Sequence, residues 1–329
     1  MKTTVNDNTG VYYQNLYWND VKEVYEYMCH NFTGDKTIWW VEDFKKRFGE
    51  KPFKRGLFIN CGNGRMEREF IDKGIVISID AFDYSEILLQ EAKNKREKRN
   101  IAYFQADANQ IKLPKTMYDL IVNVAGLHHV QFINRFIYAL GKSMTKDGIF
   151  VNFDYIGPHR NQYPKKQWRL VKKINDNLSP SLRHDKLLYP SVPVMLEEDP
   201  TEAIHSELII ETVKRYFTVT EKHDTGGGIA YPLLTHNVKI RNKGIRKEVL
   251  KIIDYDRTYT RNHTVPVLFS YFIAKPNAIL LTDKKQYDRF QVLENRREKW
   301  SQIFGGVYRI QDFFHLLLHT VKKTLKNLM

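Results

Sequence analysis

The order of apolar and polar positions predicts a core of alternating strands and helices between residues 56 and 152. Short apolar runs of strand length recur there, separated by longer segments with helical spacing. The predicted strands lie near residues 57–60, 75–82, 101–106, 118–124 and 148–155, and the predicted helices near 64–73, 84–99 and 131–145. Strands that alternate with helices of this length favour a parallel sheet covered on both faces. The pattern therefore predicts a doubly wound α/β fold.

The segments on either side of this core extend the prediction. Two amphipathic helices, near residues 20–31 and 39–48, precede the core. After the fifth strand the alternation stops over a proline-rich stretch that contains a basic helix candidate, so we expect an inserted lid. A helix at 203–216 and strands at 217–222 and 265–274 complete a mostly parallel sheet of seven strands. The expected divisions are an N-terminal helical segment at 1–52, a sheet domain at 53–276 with its lid at 157–207, and a C-terminal helical extension at 277–329.

Composition and charge narrow the class of protein. The chain has 329 residues, of which 42% are hydrophobic, and this indicates a globular protein with a sizeable core. The net charge of +14 favours phosphate-bearing or membrane-surface partners, although a lysine-rich composition explains it equally well. Two cysteines, Cys29 and Cys61, provide neither a disulfide framework nor a zinc set. No apolar run approaches the length of a membrane span and residues 1–10 are polar, so we expect a cytoplasmic protein.

A glycine-containing loop follows the first predicted strand. Gly62 and Gly64 allow a sharp turn against a ligand, and the helix that opens at Arg65 directs free N–H groups into the same space. Asp83, at the end of the second strand, has the spacing of an acid that binds ribose hydroxyls. Tight turns without ligands also use this glycine pattern, so the loop alone leaves that alternative open.

Further polar residues follow the third, fourth and fifth strands, where an open sheet binds its ligands. Asp107 is a candidate for the exocyclic amine of adenine, with a turn acid that caps its own backbone as the alternative. His128 and His129 are candidates for a general base that deprotonates an acceptor, and at least one of them is expected only to pack against its loop. The fifth strand adds the alternates or orienting groups Asp154, Tyr155 and His159.

These motifs in this order resemble the class I S-adenosylmethionine-dependent methyltransferases. The resemblance covers roughly residues 39–276. It includes the glycine loop, Asp83 with the helix that continues from Ser85, the Ala106-Asp107-Ala108 element, the segment 127–130, and Asp147-Gly148. A looser likeness, to bacterial methyltransferases associated with surface-glycan biosynthesis, rests on the segments 155–158, 198–204 and 216–217.

The resemblance implies a Rossmann-like methyltransferase fold, S-adenosyl-L-methionine as cofactor, and a set of residues around it. The implied cofactor-binding residues are Asn60, Cys61, Gly62, Gly64, Arg65, Asp83, Tyr84, Asp107, Ala108 and Val124. Asn60 stands where the family normally has glycine; asparagine tolerates a positive φ, but its side chain takes up space near the methionine moiety. We expect no metal, although the sequence alone leaves a carboxylate-bound Mg²⁺ open.

The lid and the C-terminal extension carry the candidate acceptor and partner contacts. The lid combines cations with aromatic rings, which suits a sugar that bears phosphate; a solvated helix with outward lysines is the alternative. The candidate acceptor residues are Arg160, Tyr163, Trp168 and Arg169 of the lid, and Tyr231 beside a triple-glycine segment that is either a mobile loop or a plain turn. In the extension, an apolar stripe runs beside Lys322, Lys323 and Lys326, and its members are Ile310, Phe313, Phe314, Leu317, Val321, Leu325 and Leu328. We expect this stripe to pack on its own domain or a subunit partner, with a membrane interface as the alternative.

The resulting hypothesis is a methyltransferase that acts on a hydroxyl, or less favourably an amine, of a small molecule such as a sugar or a phosphate-bearing glycan intermediate. RNA methylation is an alternative suggested by the net charge, but the chain lacks the Asn-Pro-Pro-Tyr type of tetrapeptide and any recognised RNA-binding module. A non-catalytic scaffold subunit that binds the cofactor is the third hypothesis, suggested by Asn60.

Overall fold

The computed structural model describes residues 17–328, with side chains up to residue 325. The polar start at residues 1–10 and the side chains of Lys326 and Leu328, named above, lie outside the described residues. The strands are β1 (Phe53–Ile59), β2 (Val76–Asp83), β3 (Ile101–Gln105), β4 (Tyr118–Val124), β5 (Met144–Tyr155), β6 (Phe217–Gly226) and β7 (Phe269–Pro276). The helices are α1 (Lys22–Thr33), α2 (Trp40–Phe48), α3 (Arg65–Asp72), α4 (Glu86–Lys95), α5 (Ile133–Ser143), α6 (Lys165–Asp176), α7 (Val192–Glu198), α8 (Ile209–Lys214), α9 (Ala230–Leu234), α10 (Arg246–Arg261), α11 (Ala278–Thr282), α12 (Lys284–Ile303) and α13 (Ile310–Leu328).

The strands form one sheet in the order β3-β2-β1-β4-β5-β7-β6. Strands β1 to β5 are parallel, whereas β7 runs antiparallel between β5 and β6. Apolar side chains fill both faces of the sheet in two main clusters, because each parallel strand is covered by helices on both sides. The prediction of a doubly wound, mostly parallel sheet of seven strands is confirmed.

The register brings the carboxyl ends of the parallel strands to one edge. Ile59 at the end of β1 lies opposite both Phe82 of β2 and Asn123 of β4. The residues that follow these strands therefore meet in one crevice, as expected for ligand sites of open α/β sheets.

The sequence pattern misplaced several elements outside the first five strands. The helix predicted at 203–216 is the short α8, preceded by a 3-10 turn at Ser206–Leu208. The strand predicted at 265–274 begins only at Phe269, and β6 continues to Gly226. Helix α10, which the sequence analysis did not predict, packs against α1 and β6. Its Asp256 accepts hydrogen bonds from the backbone N–H groups of Gly227, Ile229 and Ala230 at 2.7–3.0 Å, so the triple-glycine segment is a turn tied to a buried carboxylate.

The C-terminal extension packs on the sheet domain through buried carboxylates. Glu294 of α12 accepts from the backbone N–H of Asn134 at 2.7 Å, at the first turn of α5. Helix α13 contacts α7, and Lys323 pairs with Glu197 at 2.9 Å. Most described members of the apolar stripe are 48–62% exposed and do not pack on their own domain, so packing on a subunit partner stays a prediction for Ile310, Phe314, Leu317, Val321 and Leu325. Phe313 is the exception, because its ring packs against Phe304.

Candidate active site

The glycine loop turns sharply at the end of β1. Asn60, Gly62 and Gly64 have φ values of +49°, +55° and +74°, so the predicted left-handed turn is present with asparagine in its first position. A Cβ on Gly64 would overlap the hydroxyl of Tyr103. Cys61 is half-buried, and Arg65 begins α3 with an exposed side chain.

Asp83 faces this loop across the crevice. One carboxylate oxygen accepts from the Gly62 N–H at 2.7 Å and the other from the Ser85 N–H at 2.8 Å. Burial raises the pKa of Asp83, although these N–H donors act in the opposite direction. The strand tips of β1 and β2 thus converge as the adenosyl-site prediction requires, while the neighbouring Tyr84 is 57% exposed at the rim.

The Asn60 side chain is directed at the β4 loop. Its Nδ2 donates to the carbonyl oxygen of Gly126 at 2.7 Å. A Cβ on Gly126 would lie 2.7 Å from the Asn60 Cβ, so these two residues pack in close contact. The cofactor loop and the segment that carries His128 and His129 are therefore joined by a direct hydrogen bond.

The other predicted cofactor residues lie after β3 and β4. Asp107 accepts from the Asn109 N–H at 2.8 Å and from Gln110 Nε2 at 2.9 Å, which is the turn-capping arrangement named as its alternative. Ala108 and Val124 are half-buried. Both residues pack against the core clusters.

Asp154 organises a buried polar network at the end of β5. Its Oδ2 accepts from Asn123 Nδ2 at 2.7 Å and from the Leu127 N–H at 2.8 Å. Its Oδ1 lies 2.5 Å from His128 Nδ1. Since the carboxylate contacts β4, the loop after it and the imidazole together, it fixes the position of His128 and accepts from its Nδ1–H.

Glu202 of the lid approaches both histidines from the other side. Its Oε2 lies 3.6 Å from His128 Nε2 and 3.9 Å from His129 Nε2. His129 Nδ1 lies 3.1 Å from the Thr201 hydroxyl, which in turn donates to Asp199. We call His128, His129 and Glu202 the His/Glu cluster.

The two histidines of the cluster differ in protonation. Burial alone would lower the pKa of His128, but the carboxylates of Asp154 and Glu202 outweigh it and raise the pKa to about 10. Burial and the neighbouring His128 lower the pKa of His129. His128 is accordingly an imidazolium at neutral pH and His129 a neutral imidazole.

The alternates Tyr155 and His159 are engaged elsewhere. The Tyr155 hydroxyl donates to the Pro158 carbonyl at 3.3 Å, and burial raises the pKa of this phenol. His159 Nδ1 donates to the Ile204 carbonyl at 2.7 Å, and burial lowers the pKa of His159 to about 3. Its ring packs against His205 and Tyr308, toward the C-terminal extension.

A cavity of about 420 Å³ opens between the lid and α9. Tyr163, Trp168 and Tyr231 line it, as predicted for acceptor residues. Glu198, Asp199 and Glu202 line it as well, so the cavity reaches the His/Glu cluster.

The two predicted lid arginines lie outside the lining of this cavity. Arg160 is 1% exposed, and its Nη2 donates to the Gly306 carbonyl at 3.3 Å. Arg169 is exposed on α6, as are Lys165, Lys166, Lys172 and Lys173. The cations of α6 thus face solvent, as the alternative of a solvated helix expects.

Sequence reasoning assigned no role to the acidic residues of the lid. Glu202, Asp199 and Thr201 lie in a segment that was used only for the resemblance. The sequence did contain a signal for them, namely a concentration of acidic residues in a lid whose other charges are mostly basic. These acids are Glu197, Glu198, Asp199 and Glu202.

Comparison with known proteins supports the interpretation of the crevice. Residues 57–152 match the family model described as a methyltransferase domain. Over 112 residues the chain is 33% identical to a ubiquinone biosynthesis O-methyltransferase of Pelagibacter ubique, which covers 33% of this chain and 46% of that protein. The chain thus spans less than half the length of this curated relative.

Two solved structures are similar at low sequence identity. An S-adenosylmethionine-dependent methyltransferase from Mesorhizobium loti is 16% identical with a TM-score of 0.44, and the match covers 68% of this chain and 91% of that one. A chain from a Haloferax volcanii complex between a methyltransferase activator and a methyltransferase is 10% identical with a TM-score of 0.48, covering 83% and 99%.

Residues 57–152 thus match a methyltransferase domain, and the sheet that contains them has the predicted doubly wound arrangement. The predicted enzyme class and its cofactor are confirmed for this domain. The match ends before Asp154 and the lid, so the acceptor side lies outside it.

Proposed function

We propose that the protein transfers the methyl group of S-adenosylmethionine to a hydroxyl oxygen of a small acceptor that carries several hydroxyl groups, such as a sugar. The observation that carries this proposal is the cavity that reaches the His/Glu cluster through Glu202. The cluster is linked to the cofactor loop through the hydrogen bond between Asn60 and Gly126. An acceptor in the cavity would therefore contact Glu202, which lies beside the two histidines.

The lining of the cavity argues for hydroxyl groups and against phosphate. The carboxylates of Glu198, Asp199 and Glu202 accept hydrogen bonds from hydroxyls, and the rings of Trp168 and Tyr163 suit the apolar face of a sugar. The same carboxylates would repel a phosphate, because they outnumber Lys186 in the lining and the cations of α6 face solvent. This acidic lining also disfavours RNA, which is a polyanion.

The reaction is an in-line displacement at the sulfonium methyl. The acceptor oxygen bonds to the methyl carbon, the carbon–sulfur bond breaks with its electron pair on sulfur, and the hydroxyl proton leaves to a base. We assign the base to His129, whose neutral imidazole is available, and a positioning role to His128, whose proton is held between two carboxylates. The protein's main contribution is to align the two reactants and to exclude water.

A membrane surface is the second partner that we infer. The exposed stripe of α13 places Leu317 and Val321 at 50% and 48% exposure on the same helix as Lys322 and Lys323. An apolar face flanked by lysines suits an interface with anionic lipid, and the net charge of +14 has the matching sign. Within the described residues no helix is both long and apolar enough to cross a bilayer, so this contact would be peripheral.

Labelled S-adenosylmethionine tests the activity directly. Free sugars, sugar nucleotides, polyhydroxylated phenols, an amine and a structured RNA are offered in parallel, and we expect label on oxygen of a polyhydroxylated acceptor. Phenols are included because the curated relative is named an O-methyltransferase of ubiquinone biosynthesis. The scaffold hypothesis would replace the proposal if calorimetry detected cofactor binding but no acceptor were labelled, and absence of binding at millimolar cofactor would remove both.

A variant pair tests the assigned base. His129→Gln should lower kcat by on the order of 100-fold with unchanged cofactor affinity, because it removes the proton acceptor and leaves the glycine loop intact. His315→Gln, at an exposed histidine of α13, is the matched control and should retain full activity. Equal turnover in both variants would remove His129 from the mechanism.

A further inference from the structure

We propose that His128, His129 and Glu202 form a binding site for a divalent transition-metal cation at the inner end of the acceptor cavity. The donor atoms of these residues all lie within 4.8 Å of one another. Glu202 Oε2 is 3.6 Å from one Nε2 and 3.9 Å from the other. Two ligands at about 2.1 Å from one cation are separated by roughly 3.0–3.5 Å, so the three side chains would have to draw closer together around the cation.

The histidines are oriented as metal ligands are. His128 Nδ1 is held by Asp154, which leaves Nε2 directed toward Glu202, and a bound cation would replace the proton on that Nε2. The Thr201 hydroxyl donates its proton to Asp199 at 2.7 Å, so it must accept from His129 Nδ1–H. Both imidazoles therefore present Nε2 to the same carboxylate, each supported from behind by a hydrogen-bond partner.

The charge and softness of the donors select the kind of cation. Two imidazole nitrogens and one carboxylate suit zinc, iron or manganese better than Mg²⁺ or Ca²⁺, which prefer oxygen ligands. The carboxylates of Asp154, Asp199 and Glu202 together provide negative charge for a dication. Three protein ligands leave coordination positions open, and one of these ligands, Glu202, borders the cavity.

A second group of similar composition lacks these properties. The donors of His159, His205 and Glu207 also lie within 4.8 Å of one another. However, His205 Nε2 is hydrogen-bonded to Glu298 at 3.1 Å. These three residues also lie outside the lining of the acceptor cavity. We infer no cation there, and Glu207 provides a control position.

The role that we give the cation rests on the proposed function. A hydroxyl of the acceptor would occupy an open coordination position, where the cation lowers its pKa. Its proton leaves to water, the oxygen bonds to the methyl carbon, and the carbon–sulfur electron pair stays on sulfur. In the cation-bound enzyme, coordination thus takes the place of His129 as the means of activating the acceptor oxygen. The sequence analysis expected no metal, because Glu202 joins the histidines only when the lid folds over them.

Cobalt binding to the full chain tests the site without any acceptor. The protein is treated with a chelator, and Co²⁺ is titrated while visible absorption and calorimetric heat are recorded. We expect one site per chain in the wild type, and a loss on the order of 100-fold in affinity in Glu202→Gln and in His129→Gln. Glu207→Gln should bind as the wild type does. Equal affinity in Glu202→Gln, or absence of a stoichiometric site in the wild type, would overturn the inference.

Cofactor binding on the same samples separates this inference from the proposed function. Calorimetry with S-adenosylmethionine should give the same affinity in the wild type and in Glu202→Gln, which also shows that the variant is folded. Methyl transfer without cobalt binding would overturn the cation site and leave the proposed function in place. Cobalt binding in a protein that does not bind the cofactor would overturn the proposed function and leave the cation site.

Discussion

Glu67 is a buried carboxyl group without a charged partner among the described contacts, and its removal should stabilise the protein. The side chain lies in the first turn of α3, directly behind the glycine loop, and is 1% exposed. Its Oε2 has no hydrogen-bond partner within the described part of the chain. Burial raises the pKa of Glu67 from 4.5 to about 8, and the nearby carboxylate of Asp83 acts in the same direction.

The pKa determines the size and sign of the effect. Between pH 4.5 and pH 8 the unfolded chain loses the Glu67 proton while the folded chain keeps it, so stability falls as pH rises through this window. Each pH unit above 4.5 costs about 1.4 kcal/mol, which amounts to about 3 kcal/mol at pH 7. Below pH 4.5 both states are protonated and the cost vanishes.

Urea denaturation at several pH values measures this directly. The free energy of unfolding of Glu67→Gln should be about 3 kcal/mol higher than that of the wild type at pH 7. At pH 4.5 the two free energies should be about equal, because glutamine does not ionise. Glu86→Gln, at an exposed glutamate of α4, is the control and should keep the wild-type pH dependence. A Glu67→Gln profile parallel to the wild type would refute the assignment of a neutral buried acid.

Three further predictions concern the cofactor, the sheet domain and the extension. Asp83→Ala should weaken S-adenosylmethionine binding by about 1–3 kcal/mol in calorimetry, and unchanged affinity would place the ribose acid elsewhere. Asp256→Ala should lower the free energy of unfolding in urea by about 3 kcal/mol, because three buried N–H groups lose their acceptor; a loss below about 1 kcal/mol would contradict this. Leu317→Asp should release the protein from anionic vesicles in a flotation assay, whereas vesicle binding equal to wild type would show that the α13 face is not interfacial.

The first five strands could be predicted because their apolar runs are local signals of burial on both faces. The same signal gave wrong element boundaries where irregular segments are buried. Ala203 and Ile204 are 0% and 5% exposed in an irregular segment of the lid, so their pattern imitated the start of a helix. Likewise Leu268 is buried just before β7 and extended the predicted strand.

The site was predictable to the extent that it lies at strand ends. Asp83 and Asp154 lie at the ends of strands and His128 follows a strand, and periodicity alone is enough to locate such positions. Glu202 was not found, because its position against His128 depends on the irregular segments that connect α6 and α7 to the rest of the lid, and their path follows no periodic rule. The protonation of the two histidines was equally hidden, since it depends on which carboxylates lie beside each ring.

The sequence by itself determined the alternation of strands and helices, the glycine turn with its partner acid, and through these the class of enzyme and its cofactor. These features are encoded locally, in the spacing of apolar residues and in the few residue types that tolerate a positive φ. Only the tertiary structure decided that the lid places Glu202 against two histidines, that three carboxylates line the cavity between the lid and α9, and that the apolar face of α13 is exposed. Each of these depends on contacts between residues distant in the chain, whose energies no local pattern records.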